Sequence, residues 1–176
     1  MGAGAAGKNG GFLLAGVHEF YHDAVKRFGR DYSLTVYKQT LAELDLVFKS
    51  FPECTKQTGS LRIAADAEEL LDCKKQYDAM KADNLPVEWY AGPEGEGLLV
   101  PSDGIMNPLV RVRSLALAAI KAGASLYSNT TVNRIEGTNV ITNNGDICCR
   151  KVIVAVDGRL EDLIPELSGK VKTARF

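Results

Sequence analysis

The stretch from Asn107 to Gly123 specifies its own start, face and end, and so limits what the rest of the chain can be. Asn107 offers a capping side chain, and Pro108 sits at the first helical position, where its missing N–H is no loss. Gly123 follows as the closing residue. Between them Leu109, Val112, Ala116, Ala119 and Ile120 share one face, which predicts an amphipathic helix in need of a cover. Strand signals come next: short pieces at 125–127 and 131–135, then a hairpin in which Asn144-Gly145 turns residues 139–142 into Ile147 and Cys148. Residues 151–156 form a nearly continuous apolar run, the pattern of a strand covered on both faces. The helix is predicted to pack on a sheet holding strands 131–135 and 151–156. All-α and all-β classes are excluded, and the class is α/β in the broad sense, α+β in its antiparallel parts.

Upstream, apolar residues recur at three- and four-residue spacing over 17–28 (Phe20, Val25, Phe28) and 34–51 (Leu41, Leu44, Phe48), predicting two helices ended by Gly29 and Pro52. A short strand is expected at 59–64. Asp66, with Glu69 three residues on, opens a helix running to about Ala82. Pro86, Pro93 and Pro101 separate two apolar pieces, 87–90 and 98–100, which read as short antiparallel strands. A short helix at 160–164 and a final stretch near Thr173 complete the pattern.

Composition narrows the function. With 21 Lys+Arg against 22 Asp+Glu over 176 residues, the net charge of -1 supplies no field for a polyanion, so general nucleic-acid binding is excluded. No apolar run approaches the roughly 18 residues a membrane span needs. The opening MGAGAAGKNGG lacks the charged-then-apolar order of a secretory leader, and a cytoplasmic location is expected. The four cysteines, at 54, 73, 148 and 149, have no zinc or redox spacing and are expected to be reduced, structural and buried.

Two motifs have sharp readings. Gly2, Gly4 and Gly7 match the dinucleotide fingerprint in letters, but only Met1 precedes them and no second strand ending in an acid follows, so a true Rossmann turn is not expected. His18-Glu19-Phe20-Tyr21-His22 is a literal HExxH. On a helix, the two imidazoles one turn apart would share a zinc ion with Glu19 as base, making a zinc hydrolase the rival function. Against it, the chain has no third histidine, leaving Glu43 or Glu53 as the remaining ligand, and the charged Asp23 follows His22. No zinc is expected there.

The run Ala6-Gly7-Lys8-Asn9-Gly10-Gly11 through Gly16 reads by itself as a flexible glycine loop leading into a helix. It is collinear with Gly59-Ser60-Leu61, with Asn107-Pro108-Leu109-Val110-Arg111 through Gly123-Ala124, with 130–136 (TTVNRIE), with Asn143-Asn144-Gly145, and with 152–158 (VIVAVDG). In this order the chain resembles the D-amino acid oxidase-like superfamily of FAD-dependent oxidoreductases, which includes glycine and sarcosine oxidases. The resemblance implies part of a three-layer FAD-binding domain with an antiparallel-sheet substrate domain. It assigns 1–52 and 107–160 to the former, 53–106 to the latter, and 161–176 to the start of a second substrate segment.

By the same resemblance Ala6, Gly7, Lys8, Asn9, Gly10 and Gly11 lie along the ribityl chain and isoalloxazine of FAD. Val132 meets the adenine edge through its backbone, and Ala155, Val156, Asp157 and Gly158 turn close to the cofactor. The implied reaction is oxidation of a small-molecule amine or amino acid by hydride transfer to the flavin. Arg62 lies in the sheet region where relatives hold a carboxylate, without a matching position. Relatives carry a GxGxxG unit before this region and a further half after it, so the resemblance presents the chain as a fragment, incomplete and inactive alone, with weak or no FAD binding and no turnover. A noncatalytic α+β piece is the remaining alternative.

Overall fold

A computed structural model describes residues 1–156 and 160–170. The chain divides into two compact units, residues 1–117 and 118–176, with the boundary inside a helix.

The first unit opens with a single helical turn, α1 (Ala5–Lys8), and a two-residue strand, β1 (Phe12–Leu13). Helices α2 (Tyr21–Phe28) and α3 (Arg30–Ser50) follow almost without a break. Gly29 separates them: at φ 86° it adopts a conformation other residues rarely take, and its N–H still closes α2 on the Val25 carbonyl. Helix α2 begins later than the apolar spacing predicts, because Phe20 is extended and leaves residues 17–19 outside it.

Strands β2 (Thr55–Gln57) and β3 (Ser60–Ile63) lead to α4 (Ala67–Ala82), which starts where predicted. Asp66 accepts from the Glu68 and Glu69 amides, both at 2.9 Å, while Glu69 accepts from the Ala65 amide at 2.9 Å. The other end is closed by Asn84 at φ 55°, with the Asn84 and Leu85 amides bonded back to Lys81 and Met80. Then come β4 (Glu88–Gly92), β5 (Gly95–Val100), β6 (Gly104–Met106) and α5 (Pro108–Lys121), the last capped by Asn107 Oδ1 accepting from the Val110 amide at 3.1 Å.

Two antiparallel three-stranded sheets result, β1-β6-β2 and β3-β5-β4. The main core joins Tyr21, Tyr37, Cys73, Met80, Leu85, Val87 and Leu98, so it binds α2, α3 and α4 to the second sheet. A smaller cluster, Leu13, Leu44 and Val47, seats β1 against the far half of α3. Each such large side chain contributes about 2–3 kcal/mol when fully buried.

In the second unit β7 (Val132–Glu136), β8 (Asn139–Thr142) and β9 (Gly145–Cys148) form one antiparallel sheet; Thr142 pairs with Gly145, so the β8–β9 hairpin turns through Asn143-Asn144, one residue before the expected Asn144-Gly145. A short helix α6 (Leu160–Leu163) and a 3₁₀ turn at Pro165–Leu167 follow.

Three expectations are corrected. Residues 125–127 and 151–156 form no strand, and Ile153 is 90% exposed: an apolar run becomes a covered strand only with neighbours on its edges, and none pairs with it among the described residues. The sheet at 131–135 therefore lacks the predicted 151–156 strand, and α5 has no buried residue. Finally, Cys54 and Cys73 are buried and all four thiols are free, but Cys148 is exposed because every residue of β9 is. The stretch near Thr173 lies outside the described residues.

Candidate functional site

The glycine run builds a turn more ordered than a flexible loop. After α1, the Asn9 side chain folds back, donating to the Ala6 carbonyl at 3.0 Å and accepting from the Gly11 amide at 3.0 Å. Gly11 is locked into the sheet junction: its carbonyl accepts from the Met106 amide at 2.7 Å, its φ is 76°, and a Cβ there would collide with the Met106 carbonyl oxygen. Gly11 is thus required by the fold, whatever it touches besides.

Gly10 differs. Its amide has no partner among the described residues, it is exposed, and a Cβ would meet only the Phe12 ring. Phe12 is itself 70% exposed and stands opposite the half-exposed Ile105 across β1 and β6. Lys8 is exposed two positions before Gly10 in the chain. An open backbone with one free N–H next to the exposed Phe12 ring fits a planar, hydrogen-bonding ring.

The segment after β1 is held by a carboxylate. Asp103, 4% exposed, accepts from the Ala15 amide at 3.0 Å and the Ser60 hydroxyl at 2.6 Å, and its own carbonyl accepts from the Thr58 and Gly59 amides. Burial raises its carboxyl above the usual carboxylate range despite those hydrogen bonds. Sequence reasoning missed this anchor, since residues 88 positions apart leave no local signal.

Of the other expected cofactor positions, Val132 is half-buried in β7 and pairs with Thr142, with a register shift between it and Arg134. Ala155 and Val156 are exposed. Asp157 and Gly158 lie outside the described residues.

The HExxH does not form its metal geometry. His18 precedes α2, with its side chain 85% exposed, whereas His22 is on α2 and points to Asp72, Nε2 to Oδ1 2.9 Å. The two imidazoles are therefore not one helical turn apart. His22, Asp23 and Asp72 do lie together, but the other Asp72 oxygen is taken by Arg62 at 2.8 Å, whose charge opposes a cation there. Burial acts to raise Asp72, yet the Arg62 hydrogen bond and the nearby His22 and Arg62 charges outweigh it and hold the carboxyl below its usual range. Arg62 also donates to Gln76 at 2.8 Å and stacks over the Phe20 ring at 3.4 Å. It is committed to the protein itself, not to a substrate carboxylate. Among the described residues no helix is long and apolar enough to cross a membrane.

Solved structures share this architecture. L-Proline dehydrogenase from P. horikoshii matches with a TM-score of 0.73 at 20% identity, over 97% of this chain and 47% of its own. Glycine oxidase from Geobacillus kaustophilus gives 0.62 at 22%, over 84% and 44%, and glycine oxidase from Bacillus cereus ATCC 14579 gives 0.64 at 21%, over 94% and 50%. The chain spans about half the length of these structures. No curated protein matches it. The family pattern described as "FAD dependent oxidoreductase" (DAO) matches residues 1–175. Matched along nearly its whole length, this chain belongs to the DAO family of FAD-dependent oxidoreductases.

Proposed function

We propose that this chain supplies part of the FAD site of an enzyme that oxidises an amine or amino acid. FAD, when bound, supplies the acceptor for a hydride from the carbon bearing the nitrogen. The observation that carries this reading is the free, exposed Gly10 N–H on the glycine turn. There it donates to a ring carbonyl oxygen of the flavin, where negative charge accumulates on reduction. Asn9 preorganises the turn by satisfying Gly11, and Lys8 supplies positive charge near the ring or the phosphates. Val132 offers backbone groups to the adenine edge, and Ala155 and Val156 pass close to the cofactor. The names of the structural neighbours, L-proline dehydrogenase and glycine oxidase, support an amino-acid substrate. The broken HExxH geometry counts against the zinc hydrolase.

Because the chain spans about half of those structures, its own affinity for FAD is expected to be weak, with Kd above about 10 μM. Titration followed by flavin fluorescence should show saturable quenching that Gly10→Val removes and Gly4→Val, whose Cβ meets nothing, leaves intact. Equal binding by the Gly10→Val and parent proteins contradicts the reading. For substrate class the corresponding result is read in a protein that carries this chain within the full length of its relatives: anaerobic bleaching of the bound flavin by proline or glycine, and not by a hydroxy acid.

A further inference from the structure

Strand β1, which carries the glycine turn into the first sheet, is too short to hold its own register. It has two residues, Phe12 and Leu13, paired with Ile105 and Gly104 of β6. Register matters because the two sides of β1 differ: Leu13 is buried with Leu44 and Val47 of α3, while Phe12 is exposed. A slip of one residue would exchange them and carry Gly10 about 3.4 Å along the strand, too far to keep a hydrogen bond in place. Both ends of β1 are pinned. At the leading end the Met106 amide donates to the Gly11 carbonyl at 2.7 Å. Past the other end the partner chain has left β6 for the turn that precedes it, and the Asp103 carbonyl there is taken by the Thr58 and Gly59 amides that follow β2. The buried Asp103 carboxylate continues the ladder in its stead: Oδ1 accepts from the Ala15 amide at 3.0 Å, and Oδ2 accepts from the hydroxyl of Ser60, the first residue of β3, at 2.6 Å. One side chain thus ties the end of β1 to the second sheet. Fixing register is the best-attested use of a buried polar group, whose burial is otherwise costly.

We propose that Asp103 is a positioning residue for the cofactor: its carboxylate locks the register of β1 and so holds the Gly10 amide where the flavin ring meets it. The positioning role rests on the FAD reading of the glycine turn, whereas the lock is a property of the cofactor-free chain. Asp103 acts through the backbone of residues 11–15. Linkage makes the effect reciprocal: FAD that binds the in-register turn stabilises that register, and therefore the bond from the Ala15 amide to Asp103.

The test compares the full chain with Asp103→Ala, Asp103→Asn and, as a destabilised control remote from β1, Asp66→Ala, by backbone hydrogen exchange and by FAD titration followed by flavin fluorescence. Without FAD, Asp103→Ala should speed exchange of the Met106 amide about 10-fold, and Asp103→Asn, which keeps an acceptor for Ala15, should match the parent. The Kd for FAD should rise about 3- to 10-fold in Asp103→Ala, the range of one hydrogen bond, return to the parent value in Asp103→Asn, and stay there in Asp66→Ala. In the parent itself about 1 mM FAD should slow exchange of the Ala15 amide, a result that decides the matter should Asp103→Ala misfold by circular dichroism. The proposal is overturned if Met106 exchanges alike in Asp103→Ala and the parent, if Asp103→Ala binds FAD as the parent does, if Asp103→Asn fails to restore binding, if Asp66→Ala weakens FAD equally, or if FAD leaves Ala15 unprotected. Should Gly10→Val bind FAD as the parent does, the FAD reading itself has failed and the positioning role falls with it, while faster Met106 exchange in Asp103→Ala would still establish the lock.

Discussion

Asp83 accepts from Tyr21 at 2.5 Å and from Arg30 Nε at 2.6 Å, at the carboxyl end of α4, where a negative charge is otherwise disfavoured. Burial acts to raise its carboxyl, but the hydrogen bonds from Arg30 and Tyr21 and the charges of Arg30 and Lys38 outweigh it and hold the carboxyl below its usual range. For Asp103 burial wins and the shift is upward. The signs of their contributions to stability are opposite. Asp83 contributes above the ordinary carboxylate pKa of about 4, and the contribution is lost as pH falls through its depressed folded value. Asp103 contributes below that ordinary value, and the contribution is lost as pH rises through its elevated folded value. Urea midpoints measured against pH should therefore fall less steeply below pH about 4 in Asp83→Asn than in the parent. Asp103→Asn, which keeps an acceptor for Ala15, should be at least as stable as the parent at neutral pH. Asp103→Ala, which orphans the Ala15 amide and the Ser60 hydroxyl, should lose about 2–3 kcal/mol. A steeper acid limb in Asp83→Asn, or equal losses in the two Asp103 variants, would contradict this.

At the scale of elements, end signals decided what could be read from sequence. Asp66 capping α4, Asn107 capping α5 and Gly29 after α2 all act within a few residues and appear where expected, and the β8–β9 turn falls one residue before Asn144-Gly145. Asp66→Ala should cost about 1 kcal/mol, seen as a lower thermal midpoint, while Asp66→Ser should recover most of it; equal losses would assign Asp66 another role. Strands β1, β2 and β6 went unread because two or three residues show no alternation, and their pairing joins Phe12 to Ile105 and Thr55 to Met106 across long stretches of chain. The opposite holds at 151–156, where the apolar run predicts a strand and no strand forms. In the site, the glycines at 10 and 11 were visible, but their division of labour was not: only the Met106 contact shows that Gly11 serves the sheet, leaving Gly10 as the exposed donor. Gly11→Val is consequently a poor probe of cofactor binding, since it strains the fold first.

For the whole molecule, the family match extends over residues 1–175, across both compact units, and the structural matches cover 84–97% of this chain but 44–50% of the partners. Membership in a FAD-dependent family and a free glycine N–H beside a flat apolar surface together make a specific claim: FAD contacts the turn at residues 8–11. The most direct measurement is backbone hydrogen exchange of the chain with and without about 1 mM FAD, enough to populate a weak complex. The account predicts slower exchange at Gly10 and its neighbours and at Val132, abolished by Gly10→Val. Unaltered exchange at residues 8–11 under FAD, or protection that persists in Gly10→Val, would contradict it.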